Sequence, residues 1–223
     1  MNWSLRRELI PIGVVVLFAV LTLTLWSGLP DQIPSHFDFK GNVDRYESKV
    51  SFAVTFAAIT LVLYFILTFV PFIDPFWKRI KDRYNIFLIL RDCMMVCMLA
   101  FYLVLILSAK SGHMSETGMG VAFGLVFVLF GNYMPRLPRN FFFGIRSPWT
   151  LASDEVWKRT HAVGGWLFVV AGLIIMICSL AGIKFGITML VVLIPLVLFT
   201  GIAYPLYLYK KLQREHKLDA PKL

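Results

Sequence analysis

Few side chains in this sequence stand close enough together to do chemistry. His36, Asp38 and Asp44 come nearest to a ligand set, since one imidazole and two carboxylates can hold a divalent cation. Their spacing matches no established metal motif, and a solvated loop whose charges cap turns uses the same residues. Between these lies a recognition surface, in which the charges mix with the rings of Phe37, Phe39 and Tyr46. That third reading is the functional expectation for the segment. Arg91 and Asp92 stand inside an apolar run, where ionisable groups default to functional roles. Because Cys93–Ala109 alone supplies 17 residues of span, Arg91 is expected to snorkel to the near interface, with a buried ion pair as the alternative. Cys93 and Cys97 share a helix face at i,i+4 and read as packing, and Cys178 also lies in apolar sequence, so no disulfide framework is expected. His113 and His161 fall on opposite predicted sides. Neither a His-Glu-x-x-His pair nor a Gly-x-Ser-x-Gly elbow occurs, so no enzymatic activity, resident metal or cofactor is expected.

The elements that position these residues follow from composition. Of 223 residues, 58% are apolar and 16% charged, against roughly 45–50% and about 25% in a soluble domain. The charges cluster between long apolar runs. A hydrocarbon core about 30 Å thick needs roughly 20 apolar helical residues, and six runs qualify: Leu9–Leu29, Val50–Ile73, Tyr84–Ser108, Gly118–Met134, Ala162–Gly182 and Phe185–Tyr209. None alternates as a barrel strand would. The expected fold is all-α and integral to the membrane, with residues 1–73 forming a two-helix unit and 74–223 a four-helix unit. The first run is too long for the core of a signal peptide and lacks a small-x-small cleavage site, so it is expected to remain on the chain. Pro195 should kink the last helix. Gly120 and Gly124 let a second helix backbone approach, through the bundle's own packing or through dimerisation.

The net charge of +9 is distributed as a membrane protein distributes it, not as a nucleic-acid binder does. With the N-terminus cytoplasmic, the inner segments carry sixteen basic residues and the outer ones five (Lys40, Arg45, Lys49, Lys110 and Lys184). Both termini are therefore expected inside the cell membrane, with the connection 30–49 outside and 135–161 inside. In the outer connection Pro30 and Pro34 force an extended entry, Ser35–Phe39 alternates polar with aromatic, and Lys40-Gly41-Asn42 supplies turn chemistry, together predicting a small hairpin. Pro34, His36, Phe37, Asp38, Gly41 and Asp44 are its candidate recognition residues.

The inner stretch is the most distinctive. Arg136, Arg139 and Arg146 offer charge to phosphate headgroups or an acidic partner, and Phe141–Phe143 with Trp149 form an interfacial belt. Ser153 is placed to cap the next helix, with Asp154 and Glu155 in its first turn and Glu155–Arg159 as an i,i+4 pair. An interfacial elbow and a docking site for a cytoplasmic partner are both open readings. The residues singled out are Asn132, Pro135, Asn140, Phe143, Gly144, Ile145, Arg146, Pro148, Trp149, Thr150, Trp157, Thr160 and His161.

The run from Gly131-Asn132-Tyr133-Met134-Pro135 through Asn140-Phe141-Phe142-Phe143-Gly144-Ile145-Arg146-Ser147-Pro148-Trp149-Thr150 to Trp157-Lys158-Arg159-Thr160-His161 and Gly164-Gly165 resembles the SdpI immunity-protein family. Ser147 stands where Thr is also common. The outer stretch, Leu29-Pro30 with Ile33-Pro34-Ser35-His36-Phe37 and Gly41-Asn42-Val43-Asp44, resembles the short domain of unknown function that often precedes it. The resemblance implies a bacterial or archaeal membrane protein that protects its owner from a secreted, membrane-acting peptide toxin. It also implies a relay in which the toxin-bound protein sequesters a small DNA-binding repressor at the membrane, so the chain itself contacts lipid, toxin and repressor but no nucleic acid. A transporter or exporter of small molecules or peptides is the alternative, and it requires a polar path that these spans barely offer.

Overall fold

The structure is a computed structural model that describes residues 5–37 and 43–215. Among these, six helical stretches are long and apolar enough to cross a membrane: Leu9–Gly28, Lys49–Ile73, Trp77–Ser111, Glu116–Arg136, Asp154–Leu180 and Phe185–Arg214. At most 33% of any of their apolar windows lies inside the bundle, and only 11% in the first. Leu23, Ile177 and Val191 are each more than 60% exposed. Apolar surface on this scale has no place in water and fits a hydrocarbon solvent.

Helix α1 (Leu9–Leu25) runs into a 3₁₀ turn at Trp26–Gly28. Strands β1 (Gln32–Phe37) and β2 (Val43–Ser48) then pair antiparallel, with Ile33 opposite Glu47 and Pro34 opposite Tyr46. The register slips on either side of His36. Ile33 is fully buried and anchors the hairpin in a cluster of Leu29, Phe52, Tyr102, Ile106 and Ala109. Ser48 caps α2 (Lys49–Phe69) by accepting the Ser51 N–H at 3.1 Å.

A short helix α3 (Trp77–Ile80) and a 3₁₀ turn lead into α4 (Tyr84–Ser111), which ends where Gly112 adopts a φ of +73°. Ser115 caps α5 (Glu116–Tyr133). The chain next turns through Met134–Arg136 and an irregular stretch into α6 (Pro148–Ala152) and α7 (Asp154–Leu180), the latter capped by Ser153 as the sequence predicts. Helix α8 (Phe185–Leu198) contains Pro195. The disturbance shows one turn later, as a π-helical turn at Phe199–Ala203 in which the Thr200 hydroxyl donates to the Leu196 carbonyl at 2.7 Å. Helix α9 (Tyr204–Arg214) follows and packs Leu208 and Leu212 on Val156.

Two contacts between connections show which helix ends lie together. On the hairpin face, Glu116 accepts the Phe185 N–H at 3.0 Å. On the opposite face, the segment after α2 meets the stretch after α5, where Asp74 accepts the Phe141 N–H at 2.7 Å.

The small residues of α5 find their partner within the chain. A Cβ on Gly124 would lie 2.6 Å from the Gly172 carbonyl oxygen, and one on Gly131 would lie 2.6 Å from that of Gly165. Antiparallel α5 and α7 therefore touch backbone to backbone along a glycine seam, continued by Gly120 against Ser179. Of the two explanations for the Gly120/Gly124 spacing, internal packing accounts for it.

Candidate functional site

Three places hold the polar residues: the elbow between α5 and α7, a buried charge cluster beside it, and the hairpin.

The elbow is held by its own hydrogen bonds. Asn140 is fully buried, and its side chain donates to the Pro138 and Phe143 carbonyls (both 3.0 Å) while accepting the N–H groups of Phe142 (3.0 Å) and Phe143 (2.6 Å). That satisfies both of its donors and binds both lone pairs of its oxygen. Gly144 follows with a φ of +102°, and a Cβ there would lie 2.4 Å from His161 Nε2. Only glycine fits. The fully buried His161 accepts the Ile145 N–H at Nε2 (3.0 Å) and sets Nδ1 against the Trp157 carbonyl (2.9 Å). This network assigns the neutral tautomer with the proton on Nδ1. Trp157 stacks on His161 at 3.9 Å and donates its indole N–H to the Leu137 carbonyl at 2.9 Å.

Ser147 and Thr150 form a reciprocal cap on α6, whose first residue is Pro148. The Thr150 hydroxyl also bonds the Ile145 carbonyl at 2.9 Å. Phe143 meets Phe87 edge-on, and Trp149 packs towards α9. Thr160 is buried, and its hydroxyl has no hydrogen-bond partner among the described residues. Asn132, Pro135, Gly144, Pro148 and Arg146 are exposed, with Arg146 donating to the Phe141 carbonyl at 2.8 Å. Arg139, nearly buried, pairs with Asp154 at 2.8 Å, and Arg79 reaches the same carboxylate at 2.6 Å. Asp74, only 4% exposed, ties the two connections together by accepting from Phe76 and Phe141. The elbow is a rigid structural corner whose outer surface presents Arg136, Phe141 and Arg146.

The charge cluster corrects the expectation that Arg91 snorkels. Arg91 is fully buried. It meets Glu8 at 3.1 Å, Asp92 at 2.9 Å, the Arg7 carbonyl at 2.7 Å and the Thr68 hydroxyl at 3.4 Å. Tyr64 donates to Glu8 at 2.9 Å and lies under the guanidinium at 5.1 Å. Five guanidinium donors find two carboxylates and a carbonyl without leaving the bundle, whereas reaching the interface would strand the buried Glu8. The buried ion pair is the arrangement found, joined by Glu8 from the head of α1, a residue not singled out from the sequence.

On the hairpin, His36 Nδ1 lies 2.6 Å from Asp44, and both side chains are well exposed. Tyr46 is 57% exposed, and Pro34 is half-buried. The backbone of Phe37 pairs with Val43. Asp38 and Gly41 lie outside the described residues, and among the described residues no three His, Cys, Asp or Glu side chains gather as a metal site. At the hairpin's base Asp31 and Lys49 pair at 2.9 Å, and Lys49 holds the Asp31 carboxyl below the usual carboxylate range.

Bundle, hairpin and elbow together define a multi-pass helical membrane protein with polar structure at both surfaces. Residues 136–207 match the SdpI/YfhL protein family, and residues 13–70 match a domain of unknown function, DUF1648. The first match begins in the elbow and runs through α7 and α8; the second holds most of α1, the hairpin and α2. The chain is thus similar to the SdpI/YfhL family over part of its second half, with a DUF1648-like unit ahead of it. It is 23% identical over 208 residues to the "Immunity protein SdpI" of Bacillus subtilis (strain 168), covering 93% of this chain and 98% of that one. No solved structure matches significantly.

Proposed function

We propose that this chain protects the cell that carries it against a secreted, membrane-acting peptide toxin, with the hairpin on the outer surface as the receiving site. The observation that carries the reading is the end-to-end similarity to the Bacillus subtilis immunity protein, which spans hairpin and elbow alike. The sixteen-to-five basic bias supports the orientation, with the elbow and both termini in the cytoplasm. The hairpin supports recognition by binding: it is anchored below by buried Ile33 and exposes His36, Asp44 and Tyr46 above.

Its finer form is a relay. Toxin bound at the hairpin favours one packing of α1 and α2, and this is felt at the elbow through the Glu8–Arg91 and Asp74–Phe141 contacts. A cytoplasmic repressor then docks on the elbow's exposed Phe141 and Arg146. Such coupling requires toxin to bind the two packings with different affinity.

Expression in a sensitive host challenged with the toxin encoded nearest the gene tests the reading. Survival is expected for the intact chain. His36→Ala with Asp44→Asn should abolish protection while the membrane holds the same amount of protein. Equal killing with and without the intact chain, for every co-occurring toxin, sinks the proposal. Toxin-dependent co-purification of a repressor checks the relay separately.

A further inference from the structure

On the elbow face, where the start of α4 parts from the end of α5, the surface opens into a cavity of about 580 Å³. Its mouth carries Arg83, which immediately precedes α4, and Arg136, the last residue of the fourth span. Tyr133, Ile86 and Ile89, each half-buried, also line it. Both guanidinium groups are exposed, and neither meets a carboxylate among the described residues. Arg136 lies 5.1 Å over the ring of Tyr133.

From this we infer a binding site for one anionic phospholipid. Arg83 and Arg136 hold the phosphate at the mouth, and the first part of an acyl chain lies on Ile86 and Ile89. The proportions fit. Arg83 and Ile89 are six residues apart along the chain, about 9 Å of helix rise, roughly the step from headgroup to upper acyl chain. The position fits too, because Arg136 ends the fourth span and Arg83 stands directly ahead of α4. Asp82 also lines the mouth and would repel a second phosphate, leaving a net single positive charge for a single diester. A soluble phosphate would use the arginines but leave the isoleucines without an occupant. The assignment is independent of the immunity reading and of which leaflet the face occupies.

The test uses the full chain in mild detergent, offered equal phosphatidylglycerol and phosphatidylcholine, with retained lipid counted by native mass spectrometry. One retained phosphatidylglycerol is expected, and Arg83→Gln with Arg136→Gln should weaken it roughly 30-fold, at about fivefold per headgroup-level cation. A control, Lys158→Gln with Arg159→Gln, removes two exposed cations outside the cavity and should leave retention unchanged. Equal loss in the control, equal retention of phosphatidylcholine, or equal retention of phosphatidylethanolamine (with its ammonium on Asp82) overturns the assignment. Displacement of the lipid by millimolar inorganic phosphate would mark a plain anion site and overturn it as well. If the double variant unfolds, Ile86→Asn with Ile89→Asn must cut lipid retention without affecting inorganic phosphate, or the inference fails.

Discussion

The hairpin after α1 and the elbow after α5 are connections of similar length in one chain, and they treat their polar atoms in opposite ways. In the elbow Asn140, Thr150, Trp157 and His161 are buried and turned inward, each bonded to backbone of the same corner or of the helix beside it. In the hairpin, among the described residues, the apolar side chain of Ile33 is buried, while His36 and Asp44 are exposed and pair with each other. A motif dense in unusual residues is thus a framework here, and the plainer segment keeps its side chains available to a partner. In this elbow the distinctive sequence marks demanding geometry.

This contrast can be broken most sharply at the glycine seam that supports the elbow. Gly131→Ala places a methyl against the Gly165 carbonyl and the Val169 nitrogen, both backbone and unable to yield. A loss of about 3 kcal/mol is expected from forced overpacking, read as thermal unfolding in detergent. A wild-type melting curve would show the seam to be looser than drawn. A smaller effect is expected for His161→Ala, which strips the Ile145 N–H of its acceptor and Trp157 of its stacking partner. About 2 kcal/mol should be lost, with faster hydrogen exchange at the Ile145 amide; unchanged exchange there would remove His161 from the framework.

The hairpin should be nearly silent in stability and show its charges in pH dependence instead. Asp31 has a carboxyl depressed by Lys49, so the pair's contribution is complete above the ordinary value of 3.8 and fades as pH falls through the lower folded value. Because Lys49 also lies 5.3 Å from the Trp26 ring, a variant retaining only that tryptophan should report a fluorescence step below pH 3.8. Asp31→Asn should abolish the step. Its persistence would assign it to another group.

The six spans were legible because lipid demands long uninterrupted apolar runs, and the hairpin because Pro34 and the alternation beyond it leave little choice but extended chain. Helix α7 starts at Asp154, ahead of the apolar run from Ala162, and its Ser153 cap announced this. What could not be read depends on residues far apart in sequence. Glu8 and Arg91 are brought together by the packing of α1 on α4, and nothing beside either residue signals the other. Asp74 resembled a loop charge until the fold set the Phe141 amide against it. The spacing of Gly120 and Gly124 was visible, but that Gly165 and Gly172 receive α5 requires knowing that the two helices run antiparallel.

The Glu8–Arg91 contact bears on how the protein is built during synthesis. A helix carrying an unaccompanied guanidinium enters hydrocarbon at a cost of about 2.5–3.5 kcal/mol on insertion scales when the charge is central, and less nearer the edge. Translation proceeds from the first residue, so the carboxylate at the head of α1 leaves the ribosome well before Arg91 does. Arg91 brings one counter-ion, Asp92, with it on α4, and the second, Glu8, is already in place at the bilayer when the later helix arrives.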